Sequence, residues 1–196
     1  MRKKSHVSLA KYIVRSEGME DLWAHRGSLY LGSVLPDCTP VFLTRKHSME
    51  ESFHILEKEL RRLDKKFDPK KGFNRYFCRH LGIITHYVSD YFTFPHNSNY
   101  SGNLKEHCLY EKELKHRLRE YVKSDEAVQV RTENMRFKST EEILLFIRQM
   151  HGQYMQQMSA VKRDIQYIVS LCFQVVDAIL QFFENRRGNG IQICYL

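Results

Sequence analysis

Apolar residues recur at helical spacing along nearly the whole chain, and no period-two alternation runs long enough to make a sheet. That pattern implies an all-α, multi-helix bundle. A first helix is predicted from about Ser5 to Glu17, with Val7, Ala10, Ile13 and Val14 as its inward stripe and Gly18 as its stop. A second covers about Asp21 to Ser33 and ends at Leu35-Pro36-Asp37, because the residue before a proline is pushed out of helical geometry. A third opens at Ser48, where Glu51 completes a capping box, and runs to about Lys66 ahead of Asp68-Pro69. The fourth spans about Lys71 to Phe92, with Phe73, Phe77, Leu81, Ile84 and Val88 on one face and Pro95 at its exit. A fifth runs from about Leu104 to Lys123, and residues 124–138 read as a polar surface connection. Ser139 and Glu142 form another capping box, opening a helix to about Met158. The last helix carries Ile165, Ile168, Cys172, Val175, Ile179 and Phe183 and is predicted to end in the Asn185 to Gly190 stretch.

At 196 residues, one domain (1–196) can hold these helices, with 139–185 completing the bundle. A hydrophobic fraction of 42% with only 4 Pro and 9 Gly disfavours disorder. The 31 Lys and Arg against 23 Asp and Glu leave a formal charge of +8, which attracts phosphate-bearing partners, although the basic pairs fall mostly on helix flanks that read as solvated surface. Five cysteines (Cys38, Cys78, Cys108, Cys172, Cys194) without a CxxC pair indicate neither a disulfide framework nor a zinc ribbon, and all read as buried thiols. Residues 5–20 are too polar for a signal peptide, so a cytoplasmic location is expected. Gln174, Asp177 and Gln181 interrupt the most apolar stretch, so no transmembrane span is expected.

The chemistry concentrates between residues 86 and 111. His86 and Asp90 stand four residues apart on one helix face and can converge on one ion; His107 and Glu111 repeat the device, and His96 follows Pro95 between them. Imidazole with carboxylate is a donor set that suits zinc, whereas calcium and magnesium prefer oxygen alone. One such pair is commonly a surface hydrogen bond; two pairs and a prolyl-elbow histidine in succession point to a metal centre. His80, His116 and His151 read as ordinary surface or core residues, as do most of Tyr87, Tyr91, Phe92, Phe94 and Tyr100.

In order and spacing these residues resemble the zinc-dependent phospholipase C family. Gly82-Ile-Ile-Thr-His-Tyr-Val-Ser-Asp-Tyr-Phe-Thr-Phe-Pro-His96 is similar to its central helix and elbow, Gly32-Ser-Val-Leu-Pro-Asp37 to its upstream loop, and His6 to its early ligand. The resemblance covers about residues 5–120, the metal-binding helical core. It implies two or three zinc ions: one held by Asp37, His47, His86 and Asp90, a second bridged by Asp90 and held by His6, and a third held by His96, His107 and Glu111. His54 is the alternative to His47. In the family an N-terminal tryptophan completes the second site, yet Trp23 is internal here. The resemblance therefore leaves that site to be completed by His25, by water, or not at all.

What it implies about activity is a zinc-dependent phosphoester hydrolase, cleaving a phospholipid headgroup or a soluble phosphodiester by metal-activated water, with Asp37 orienting or deprotonating that water. Two other readings stand beside it: a zinc-dependent nuclease acting on single-stranded nucleic acid, and a metal-binding helical protein without catalysis. Oligomeric state is not legible.

Overall fold

The computed structural model describes residues 1–38, 47–128, 136–157 and 160–192, with side chains to residue 188. Among them are seven α-helices and no strand: α1 (Lys3–Arg15), α2 (Arg26–Val34), α3 (Met49–Lys66), α4 (Arg75–Tyr91), α5 (Leu104–Tyr121), α6 (Thr140–Met155) and α7 (Val161–Gln192). The polar connection expected over 124–138 and the end of the helix expected at Met158 lie partly outside the described residues.

The helix α4 is the axis of the bundle, and every residue from His80 to Tyr91 is buried. A helix covered all round belongs in a core, so His86 and Asp90 lie where polar groups cost several kcal/mol unless partners compensate them. Backbone contact with α2 brings this about. A Cβ on Gly32 would lie 2.0 Å from the Arg79 carbonyl oxygen, and one on Gly82 would lie 2.3 Å from that of Leu29. With glycine at both positions the two helices close until main chain meets main chain.

Capping follows the local chemistry. Ser48 accepts from the Glu51 amide and Ser139 from the Glu142 amide, as their spacing predicts. The start of α4 is later than expected, at Arg75 rather than Lys71, because Gly72 takes a positive φ of 54° and Asn74 caps the helix. A 3-10 turn, Glu20–His25, replaces the first turn of the helix expected from Asp21. The last helix continues to Gln192 through the stretch expected to end it. Arg186 there bonds Asp64 of α3 at 2.5 Å, and the Arg187 guanidinium lies 5.6 Å from the Phe73 ring, so tertiary contacts outweigh local glycine preference.

By length and composition α7 could cross a membrane, but 67% of its apolar window is buried inside the bundle, which is how a core helix passes the same test. Cys78 and Cys172 are buried free thiols. Cys38 and Cys108, expected to be buried, are exposed: Cys38 ends a short turn at the surface and Cys108 points away from the ligand-type face of α5. Cys194 lies outside the described residues.

Candidate metal centre

Eight side chains from five stretches meet at one end of the bundle. Asp90 is at the centre. Its Oδ2 accepts from His47 Nδ1 at 2.9 Å and lies 3.3 Å from His86 Nε2, while its Oδ1 lies 3.4 Å from His6 Nε2. His47 Nδ1 and His86 Nε2 are 3.0 Å apart. Asp37, on the 3-10 turn Pro36–Cys38, reaches the same group at 3.9 Å from His6, 3.9 Å from His47 and 3.8 Å from His86. His47 rather than His54 joins this set; His54 faces outward from α3, and His25 is in none of the groups.

The second set lies against the first. Glu111 Oε1 is 3.5 Å from His96 Nε2 and 3.3 Å from His107 Nε2, and His96 Nδ1 is 3.7 Å from Asp90. The donors fall into three groups, His6 with Asp37 and His86, His47 with His86 and Asp90, and His96 with His107 and Glu111, each with its ligand atoms within 4.8 Å of one another. Donors about 2.0–2.1 Å from one zinc at tetrahedral angles sit about 3.3 Å apart, so these spacings suit that ion.

Hydrogen bonding shows which nitrogens are bare. The Ser33 carbonyl, brought close by the glycine contact, can only accept, so His86 Nδ1 donates to it at 2.9 Å and Nε2 turns a lone pair toward Asp90. Ser89 spends its hydroxyl proton on the His86 carbonyl at 2.8 Å, so at 3.1 Å it accepts from His6 Nδ1. His6 Nε2 is then a buried lone pair with no hydrogen-bond partner, facing a carboxylate, and His96 Nδ1 is likewise buried without one. A lone pair aimed at a carboxylate is repulsive unless a cation lies beside them, and although the Met1 ammonium is 2.5 Å from Asp90 Oδ1, it bonds neither His6 Nε2 nor His96 Nδ1. The donor set therefore fits a metal.

The ionisation states agree. Burial, and then the neighbouring His86, hold the His6 imidazole well below its ordinary range, and burial with the Met1 amine lowers His96, so both are neutral and able to ligate. Burial alone would raise the Asp90 and Glu111 carboxyls. The Met1 amine and the imidazoles outweigh it at Asp90, as the bonds to His107 and His96 do at Glu111, and both are held well below the carboxylate range.

The zinc dependent phospholipase C family matches residues 5–160, four-fifths of the chain. The chain belongs to this family. No curated protein matches the chain, and no solved structure does. Family membership implies zinc as the metal and hydrolysis as the general activity. The match runs 40 residues beyond the expected limit at 120, taking in α6.

Asp164, His151 and Asn97 support the cluster with no signature in the sequence, and the Met1 amine, not His25, stands beside His6 and Asp90 at the second site. The α-amine of Met1 is buried 2.5 Å from Asp90 Oδ1, 3.3 Å from His96 Nε2 and 3.4 Å from Glu111 Oε1, joining the two sets. Asp164 on α7 accepts from the Phe94 amide at 2.7 Å, the Tyr110 hydroxyl at 2.6 Å and the Tyr154 hydroxyl at 2.9 Å. It thereby ties the Phe94–His96 elbow and α5, which carry the second set, to the last helix. His151 donates to Asn97 at 2.8 Å, and Asn97 in turn donates to the Tyr91 and Thr93 carbonyls at the end of α4. His80 pairs with Glu59 between α3 and α4, away from the cluster, and His116 is exposed. Tyr87, Tyr91 and Phe92 are fully buried core, while Tyr100 lines the cleft.

Proposed function

We propose that this chain is a zinc-dependent phosphoester hydrolase acting on a phospholipid headgroup or a soluble phosphodiester, with two or three zinc ions held by His6, Asp37, His47, His86, Asp90, His96, His107 and Glu111. The observation that carries the reading is the buried, bare His6 nitrogen turned toward Asp90, beside an open cleft of about 810 Å³ whose wall includes Asp37, His47, His96, His107 and Glu111. Zinc in such a site neutralises phosphoryl oxygens and lowers the pKa of water toward about 7.

The chain's own residues supply the rest. Asp37, 20% exposed, lies at the junction of the buried donors and the cleft, where it takes the proton from the attacking water. Ser33 and Ser89 hold the His86 and His6 rings in the tautomers that leave their Nε2 atoms free. Glu50, Glu51 and Asn103 line the mouth, and no Lys or Arg lines the cleft among the described residues. A cleft so lined suits a phosphoester bearing a neutral or cationic group better than a polyanionic strand, which favours the phospholipase-type substrate over nucleic acid.

The Asp37→Asn variant, with its zinc retained, is expected to hydrolyse a chromogenic phosphocholine ester about 10²–10⁴-fold more slowly than wild type. Unchanged turnover would remove Asp37 from this role. Hydrolysis of single-stranded DNA alone by the zinc-loaded wild type would establish the nuclease instead, and zinc binding without turnover of any phosphoester would establish a non-catalytic protein.

A further inference from the structure

The side of the bundle away from the metal cluster carries a groove that the hydrolase reading does not use. Arg2 on the N-terminal flank of α1 bonds the Cys108 carbonyl of α5 at 2.9 Å, and the last turns of the same two helices flank this groove, so they run in parallel. The metal cluster lies at their N-terminal ends. At their C-terminal ends they enclose a concavity of about 550 Å³, into which Lys11 and Arg15 of α1 and Arg119 and Lys123 of the α5 end converge. None of the metal donors lines this groove, and at 1.5 Å per residue its cations stand from about 8 Å (Lys11 from His6) to about 18 Å (Lys123 from Glu111) along the helices from the nearest donor.

Four cations drawn together repel one another unless an anion joins them. All four are exposed, Glu17 is the only carboxylate residue among the groove's lining, and no ion pair to any of the four occurs among the described residues. Other surface arginines do find partners, Arg61 with Glu57 and Glu141, and Arg117 with Glu113. Among the described residues, this groove draws four cations together with no ion pair to any of them.

Apolar groups border the groove on both sides. Val128 lines one edge and is 67% exposed. On the other, an adjoining hollow shares Arg15 and Ser16 with the groove and includes Trp23, 48% exposed with the Arg26 guanidinium 4.3 Å above its ring. An exposed tryptophan beside clustered Lys and Arg is the arrangement that seats a protein on an anionic bilayer, the cations on headgroups and the indole at the interface.

We propose that this groove docks the protein onto an anionic lipid surface. Docking is independent of turnover, so it is measured directly: co-sedimentation with phosphatidylcholine vesicles, with and without phosphatidylserine. Wild type is expected to bind the phosphatidylserine vesicles, to lose binding as salt rises, and to ignore pure phosphatidylcholine. The combined variant K11A/R15A/R119A/K123A is expected to bind at least about 100-fold more weakly, and Trp23→Ala several-fold more weakly. Both variants keep the wild-type melting temperature and hydrolyse a soluble phosphoester at the wild-type rate if the hydrolase reading holds. Equal vesicle binding by wild type and the combined variant, no wild-type binding, or binding to single-stranded DNA that is tighter than to phosphatidylserine vesicles of the same total charge each overturns the proposal.

Discussion

Of the donors around Asp90, His6 and His86 are sealed with it into the bundle, at 1%, 0% and 0% exposed, whereas His47 and Asp37, at 10% and 20%, reach the cleft beside His96, His107 and Glu111, at 11%, 29% and 16%. The inner set is aimed by backbone: two glycines bring α2 onto α4, and the Ser33 carbonyl orients His86. The outer set is aimed by side chains, since its elbow and helix are anchored through Asp164 on α7. A site built on helix contact is rigid at little further cost, while one anchored by long-range bonds is adjustable and easier to empty.

The sharpest way to break this contrast is Asp90→Asn, because Asp90 touches both sets. It is expected to lower zinc affinity and turnover by more than about 100-fold, beyond the range for outer-shell residues, with both sets affected in chelator competition. Loss confined to one set would mean that Asp90 does not join them. Asp164→Asn has the next largest effect. It leaves the acceptor for Phe94 and Tyr110 weakened, so the outer zinc is expected to exchange about 10–100-fold more readily while the inner zinc is retained; equal weakening of both would abolish the distinction between the two sets.

Much of this was readable from the chain and some was not. The His86/Asp90 and His107/Glu111 pairs share helix faces whatever the tertiary structure, and the Ser48 and Ser139 caps are local chemistry. Asn103 caps α5 in a reciprocal box with Glu106, a spacing as plain in the sequence as the other two. Asp164 is different in kind. It bonds Phe94 across 70 positions and Tyr110 across 54, and nothing within its own helix announces a buried acceptor. The overrun of α7 past Asn185 has the same origin, contacts with Asp64 and Phe73 made only after folding.

The smallest expected effect is on pH. His6, His96 and His151 all titrate below the ordinary imidazole value of about 6.5, with burial the leading cause. The unfolded chain then binds more protons than the folded one just below that pH, so their contribution is present above about 6.5 and is lost as the solution is acidified. His47 shifts upward because its bond to Asp90 outweighs burial, so it opposes the other three. Metal-free protein is therefore expected to melt at progressively lower temperature from pH 7 to pH 5, and His6→Asn to flatten that slope; a melting temperature that rises on acidification would mean the inner imidazoles are charged.

The central claim is that folding brings these eight side chains around shared zinc ions. Elemental analysis of protein purified without added metal, wild type beside Asp90→Asn, tests it most directly. The account predicts two or three zinc ions per wild-type chain and a marked loss in the variant. Wild-type protein that retains no zinc, or a variant that retains the same amount, would contradict it.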